Sequence, residues 1–245
     1  MGLIKGFRDT VGFFTIIPVR DGDFFGAADH AYLLPVLGVL IAAICSLFAV
    51  ISFYLFPPAV TGMIVLLVAL LITGFNNIDG LADVADGMMA HGNSERRRSA
   101  MKDTRLGISG LVICIFMIGL AGTALAELAG AGILILLKAI FLSELGSKYA
   151  MLLTSFAGKP TYDGLGAVFF EHVGNLQIVI GSILTILFGI LAGKIAVALL
   201  LVIPVVGVVF ILTGRAFDGI SGDVIGACGE ISRVVVLLGV LAYHF

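Results

Sequence analysis

Tryptophan is absent from this chain, and charge is scarce. Only 12% of the 245 residues are Asp, Glu, Lys or Arg, 60% are hydrophobic, and the mean hydropathy is +1.18. A soluble domain carries roughly 25% charge and about half apolar residues, so a water-facing shell around this much apolar surface is excluded. The excess needs lipid. The lack of Trp thins the aromatic belt that usually marks membrane boundaries, so span ends must be read from other residues. Cysteine is equally sparse. Cys45, Cys114 and Cys228 each lie inside an apolar run, which excludes a disulfide framework and leaves three small buried hydrophobes. No nucleophile elbow, P-loop, CxxC pair or zinc spacing occurs. The net charge of −2, from 14 basic and 16 acidic residues, says little about partners, and no nucleic acid partner is expected. The distribution of charge carries more than its sum.

Crossing a bilayer takes about 20 apolar residues, because each peptide group in lipid must be bonded within its own helix. Seven runs qualify: 33–56, 59–75, 107–126, 130–156, 175–192, 195–213 and 223–243. Pro57-Pro58 separates the first two as a tight hairpin. The fourth run is interrupted by Lys138, Ser143, Glu144, Gly146 and Lys148, which predicts a broken or bundle-facing helix. The N-terminus shows no cleavable signal peptide. Its Leu3, Ile4, Phe7, Val11 and Phe14 fall at helical spacing around Lys5 and Arg8, the pattern of an interfacial amphipathic helix. The expected fold is therefore all-α: a polytopic integral membrane helix bundle of about seven transmembrane helices, forming one membrane-embedded domain over residues 1–245. The partner it requires is a lipid bilayer.

The basic residues orient this bundle. With connection 76–106 in the cytoplasm, Lys5, Arg8, Arg20, Arg96, Arg97, Arg98, Lys102, Arg105, Lys148, Lys159 and Arg215 fall in or near the cytoplasmic side, and only Lys194 lies in an outer loop. The long polar connections 76–106, 157–174 and 214–222 then share one face, as expected of an enzyme working at the cytoplasmic surface of the plasma membrane. No inverted repeat of hydropathy is evident.

The stretch 73–110 carries the most chemistry. Asn76, Asp79, Asp83 and Asp86 are spaced +3, +4 and +3, which places them within about 80° of one another on a helix. Stacked carboxylates repel, and such a stripe is tolerated where a divalent cation sits among the oxygens. Hard oxygen ligands without Cys or His point to Mg²⁺, with Asp79, Asp83 and Asp86 as ligands, or to Mn²⁺. Gly80 and Gly87 each follow an aspartate and allow a backbone or phosphate to approach closely. The plain alternative is a solvated acidic face, although three aspartates behind Asn76 and Asn77 at a span end are costly unless used. Downstream, Lys102, Asp103 and Arg105 precede the next span. Arg105 is the best candidate phosphate clamp, since a guanidinium grips phosphate with two parallel bonds. Arg96, Arg97 and Arg98 have orientation as an equally good explanation, and His91 reads as a loop residue.

A second constellation is RAFDGISGDVIGACGEISR, 215–233. Ser221 suits an N-cap, and Asp223 falls in the first turn, where the helix dipole favours an acid. Gly222, Gly226, Ala227 and Gly229 form a small-residue surface for close packing, and Glu230 with Arg233 makes an i,i+3 pair. Asp223, at the same expected membrane depth as Asp79, is expected to complete one site with it. Acids, a divalent ion and phosphate-gripping side chains together suit phosphoryl chemistry on a diphosphate.

At FFTIIPVR (13–20), IDGLADVADG (78–87), MKDTRLGISG (101–110) and GISGDVIGACGEIS (219–232), the chain resembles the cobalamin synthase family, the adenosylcobinamide-GDP ribazoletransferases. The resemblance covers essentially the whole chain. It departs at Asn77, where the family commonly carries His, and at Ile16, where Arg is common. The resemblance implies a Mg²⁺-dependent membrane enzyme joining adenosylcobinamide-GDP to α-ribazole or its 5′-phosphate, with release of GMP. It further implies metal ligation by Asp79, Asp83 and Asp86, with Asp103 or Asp223 adding a ligand or the base. Lys102 and Arg105 would hold the diphosphate. Two related chemistries are weighed against it: a CDP-alcohol phosphatidyltransferase and a polyprenyl-phosphate sugar-phosphate transferase. The first lacks its Ala-Arg after Asp79-Gly80 and Asp86-Gly87. A cation-coupled transporter is disfavoured because the acids lie at the membrane rim and not at its midplane.

Overall fold

The computed structural model describes residues 2–103, 105–158, 160 and 165–244. The described residues form twelve α-helices, numbered in chain order. They are α1 (Leu3–Phe14), α2 (Phe24–Asp29), α3 (Leu34–Leu55), α4 (Pro58–Ile72), α5 (Asn76–Met89) and α6 (Ser94–Met101). There follow α7 (Ile108–Ala131), α8 (Ile133–Ala157), α9 (Leu165–His172), α10 (Asn175–Ile190), α11 (Val202–Phe217) and α12 (Gly222–His244). Among the described residues there is no β-strand, only an isolated bridge between Pro160 and Ile220. Lys159, one of the basic residues used for orientation, lies outside the described residues.

Each of the seven apolar runs folds as a helix. Ala31–Leu55, Ile108–Ala131, Gly193–Phe217 and Gly222–His244 are individually long and apolar enough to cross a membrane, and α4 with α5 makes a fifth candidate if the pair counts as one span. The sixth run starts as a 3₁₀ helix over Gly193–Leu201 before α11. α10 is shorter, with 16 residues, and α8 has the length but carries Lys138, Glu144 and Lys148. The chain is a multi-pass helical membrane protein. α1 follows the expected interfacial helix: Leu3 and Ile4 are exposed, while buried Asp9 accepts from the Asp23 amide and ties α1 to the start of α2.

Small residues let the long helices approach. A Cβ at Gly38 of α3 would lie 2.8 Å from the Glu144 carbonyl of α8, and one at Gly62 of α4 would lie 2.8 Å from the Gly122 carbonyl of α7. Only glycine fits such crossings, where packing rather than hydrophobicity holds helices together. α8 runs unbroken between α3 and α12, and every residue from Leu142 to Lys148 is buried. Of the two readings of its polar interruption, the bundle-facing helix is the observed one.

The buried polar residues of α8 meet those of α12. Arg233 Nη1 donates to both Glu230 oxygens at 2.5 and 2.6 Å, and its Nη2 donates to Glu144 Oε2 at 3.2 Å. Its Nε lies 2.7 Å from Glu144 Oε1, an ion-pair contact off the hydrogen-bond direction. Lys148, also fully buried, brings the quartet to electrical neutrality. The expected i,i+3 pair is thus present and is one edge of a four-member cluster that joins two helices.

The connection 76–106 is folded, and not a loop. α4 ends in a Schellman motif: the Phe75 amide bonds the Leu70 carbonyl and the Gly74 amide bonds that of Leu71. Gly74 sits at φ 63° and Phe75 at φ 60°, the latter a conformation that costs a non-glycine residue about 1–3 kcal/mol. The axis then turns by 88°, and Asn76 opens α5 against α7 and α12.

Candidate active site

Five separate helices build one cavity. Asn76 and Asn77 come from the first turn of α5, and Gly222, Asp223, Ile225 and Gly226 from the first turns of α12. Phe13 and Phe14 end α1, Met151 comes from α8, and Phe169 from α9. The volume is about 360 Å³.

Glycine sets how closely α5 and α12 meet. A Cβ on Gly80 would lie 2.8 Å from the Asp223 carbonyl oxygen and 2.9 Å from its Cα, and one on Gly226 would lie 3.2 Å from Asn77 Cα. Gly80 therefore serves a backbone approach, and the backbone it admits is that of Asp223. Ser221 precedes α12 as expected of an N-cap: its Oγ accepts from the Val224 amide at 3.4 Å and donates to Asp223 Oδ2 at 3.3 Å. Gly229 is likewise needed, lying against Met151 and Ser147 of α8.

This contact brings acids together that are 144 residues apart in sequence. Asp79 is exposed beside Gly80, while Asp83 and Asp223 are half-buried. The carboxylates of Asp79, Asp223 and Asp86 all act electrostatically on that of Asp83. Asp223 is the one acid among the residues lining the cavity.

Asp86, the third member of the acidic stripe, has a different engagement. Its Oδ2 accepts from the Gly107 amide and its Oδ1 from the Gly110 amide, both at 2.8 Å. Gly107 is the residue before α7, so Asp86 caps that helix from a neighbouring one and satisfies two of its orphan amides. Gly87 admits α6 and α11: a Cβ there would lie 3.0 Å from both the Arg97 carbonyl and Phe217 Cε1.

The basic residues also have partners. Arg97 Nη1 donates to the Met88 carbonyl at the end of α5, at 2.9 Å, and Arg98 Nη1 to the Phe217 carbonyl at the end of α11, at 2.8 Å. Both complement helix C-termini, so these two arginines do more than orient the chain. Arg105 forks onto Asp103, with Nε on Oδ1 at 3.1 Å and Nη2 on Oδ2 at 2.8 Å. That bond holds the Asp103 carboxyl at about 2, well below the usual carboxylate range, so Asp103 is an anion at any physiological pH. Both residues are exposed, and neither lines the cavity; nor does the exposed Lys102.

Among the described residues, no group of three or more His, Cys, Asp or Glu is disposed to hold a metal ion unaided. The donor chemistry nonetheless suits Mg²⁺, which keeps several waters and takes one or two carboxylates together with substrate phosphates. Asp79 and Asp83 are the residues able to supply those carboxylates, while both Asp86 oxygens already serve amides.

Two features of this region escaped the sequence reading. Phe13, Phe14 and Phe169 form a cavity wall, which no local pattern announces because Phe169 arrives from elsewhere in the chain. The Glu144–Lys148 contribution to the buried quartet also depends on a partner 89 residues away.

The helix count, the buried ionic cluster and the acid-rimmed cavity define a polytopic membrane protein with a polar site where α5 meets α12. The family model described as cobalamin-5-phosphate synthase matches residues 6–241, and the chain belongs to that family. The adenosylcobinamide-GDP ribazoletransferase of Thermococcus kodakarensis is 34% identical over 239 residues, covering 94% of this chain and 96% of that one. The protein of the same name from Thermococcus gammatolerans is 36% identical, with 95% of each covered, and that from Methanococcoides burtonii 29%, with 97% and 92% covered. No solved structure matches the chain.

Proposed function

We propose that this protein is an adenosylcobinamide-GDP ribazoletransferase, joining adenosylcobinamide-GDP to α-ribazole or α-ribazole 5′-phosphate and releasing GMP. The observation that carries the reading is the convergence of Asp79, Asp83 and Asp223 beside a nucleoside-sized cavity, in a chain similar throughout to relatives of that name. In the reaction, the ribose hydroxyl oxygen of ribazole forms a bond to the cobinamide-side phosphorus. The bond from that phosphorus to the bridging oxygen breaks, and GMP leaves with the bridging oxygen and its electron pair. Mg²⁺, when bound, supplies neutralisation of the diphosphate charge.

The chain's own residues do the rest. Asp223, at the cavity, accepts the proton of the attacking hydroxyl, and Ser221 Oγ orients its carboxylate. Asp79 and Asp83 would hold the Mg²⁺ that neutralises the charged end of the donor. Gly80 and Gly226 fix the spacing between the two helices, because misplacement by about 1 Å costs on the order of 10²-fold in rate. Lys102 and Arg105 meet the diphosphate from the rim, which requires Arg105 to exchange Asp103 for phosphate. The active site faces the cytoplasm from the plasma membrane, a sidedness supported by the lysine and arginine asymmetry.

The test is GMP release by purified protein in lipid. Turnover with adenosylcobinamide-GDP and α-ribazole, lost in EDTA and restored by Mg²⁺, is the expected result. No GMP from either acceptor sinks the transferase reading, and undiminished turnover in EDTA removes the metal from it.

A further inference from the structure

We propose that the aromatic cavity seats the base of the acceptor nucleoside, with its ring among Phe13, Phe14 and Phe169 and a ring nitrogen on the Asn77 amide. This rests on the transferase reading above and adds which substrate, and which part of it, occupies the cavity.

Size comes first. About 360 Å³ is at the small end of ligand pockets, roughly 300–1,000 Å³, which accommodates a nucleoside and excludes a corrin macrocycle. The wall suits a planar ring. Phe13 and Phe169 stack at 5.7 Å between centroids with 29° between planes, and Phe14 meets Phe169 edge-on at 5.4 Å. Phe24 backs the cluster, 4.7 Å from Phe13 and 5.6 Å from Phe169. Residues from α1 and α9 thus converge on one aromatic wall, and a base lying against it gains stacking.

An unmet donor faces the same space. Asn77 lines the cavity with 6% of its surface exposed, and its Nδ2 has no hydrogen-bond partner among the described residues. A buried amide left unpaired is destabilising, so this position favours a ligand acceptor.

The choice between the two bases follows from their edges. Guanine presents N–H donors beside its carbonyl acceptor, and needs a carboxylate or carbonyl among its neighbours. The three phenylalanines, Met151 and Ile225 give guanine's donors nothing, and the cavity's one carboxylate, Asp223, lies on its α12 side, where guanine would take the acid that the attacking hydroxyl needs. The ribazole base is a dimethylated benzimidazole with no N–H once attached to ribose and one ring nitrogen able to accept. An apolar wall with a single buried amide donor matches that edge. Asp223, on the α12 side of the same cavity, then meets the ribose hydroxyls.

Steady-state kinetics on the full-length protein in lipid test the seat, varying each substrate at saturating levels of the other. Phe13→Leu and Phe169→Leu keep an apolar side chain and remove the ring face. Each should raise KM for α-ribazole by about 5- to 100-fold, the loss of one base-stacking contact, and leave KM for adenosylcobinamide-GDP within about twofold. Asn77→Leu removes the amide with its unpaired donor, and carries the same expectation if a phenylalanine variant fails to fold. A rise in KM for the GDP-linked substrate instead places guanine in the slot and overturns the proposal, as do folded variants with both constants unchanged. If the parent protein releases no GMP, the transferase reading fails by itself. Quenching of benzimidazole fluorescence on titration with the parent protein then decides the seat: saturable binding weakened by Asn77→Leu supports it, and no binding overturns it.

Discussion

Adding one methyl group at Gly80 perturbs the site without touching a single ionisable side chain. In Gly80→Ala the new Cβ would stand 2.8 Å from the Asp223 carbonyl oxygen and 2.9 Å from Asp223 Cα, both backbone atoms with no rotamer to turn away. Comfortable contact begins near 3.5 Å, so α5 and α12 must part by about 0.7 Å. Overpacking of this kind costs about 1–3 kcal/mol, which lowers the melting temperature of the protein in lipid or detergent without abolishing its fold. The same displacement separates Asp79 and Asp83 from Asp223, and a shift approaching 1 Å predicts a loss of roughly 10- to 100-fold in turnover. Gly119→Ala is the matched control. It also lies inside a helix, α7, but its Cβ meets nothing within 4 Å, so it should leave activity intact and gain up to about 1 kcal/mol from helix propensity. The assay is GMP release alongside thermal unfolding for both variants. Parent-like turnover and melting in Gly80→Ala would refute the close crossing of these two helices as the element that sets the site.

Asp86→Ala should lower the melting temperature, by about 0.5–2 kcal/mol of lost capping, in the presence and absence of Mg²⁺ alike. A variant that melts normally and only binds Mg²⁺ more weakly would return Asp86 to the metal site. Arg233→Met strands Glu144 and Glu230 with Lys148 alone, which should destabilise by about 3–5 kcal/mol, seen as poor expression and early thermal aggregation. Replacing Glu144, Lys148, Glu230 and Arg233 together by apolar residues should cost less than the single change, and the opposite ranking contradicts the account of the quartet. A cysteine at position 194 should react with an impermeant reagent outside intact cells and one at position 93 should not; the reverse pattern overturns the topology.

How much of this was legible in the sequence depended on how local the determining physics is. A span is fixed by the length of its apolar run, so all seven helices are readable, with ends shifted by a few residues because caps and 3₁₀ turns decide the last turn. The acidic stripe is readable for the same reason, since Asp79, Asp83 and Asp86 need only helical periodicity to share a face. Asp223 announced itself through Ser221 and its glycines. What periodicity cannot give is the partner. Asp86 looks like its neighbours until Gly107 and Gly110 arrive from α7. Gly80 looks like room for a phosphate until the Asp223 backbone fills it. The polarity of 76–106 suggested a loop, yet α5 buries Gly80, Leu81, Ala82, Val84 and Ala85 while presenting acids on its other face. Arg105 looks like a free phosphate clamp in the sequence, yet it is exposed and forks onto Asp103.

The central claim is that Asp79 of α5 and Asp223 of α12 act as one catalytic unit, and a double-mutant cycle on turnover tests it most directly. Asp79→Ala, Asp223→Ala and the double variant are purified in lipid, checked for parent-like melting, and assayed for GMP release from adenosylcobinamide-GDP and α-ribazole. Groups that act as a unit are strongly non-additive, so each single variant should lose nearly all turnover and the double should be little worse than either. Losses that multiply, or an Asp223→Ala variant that retains parental turnover, would contradict the account.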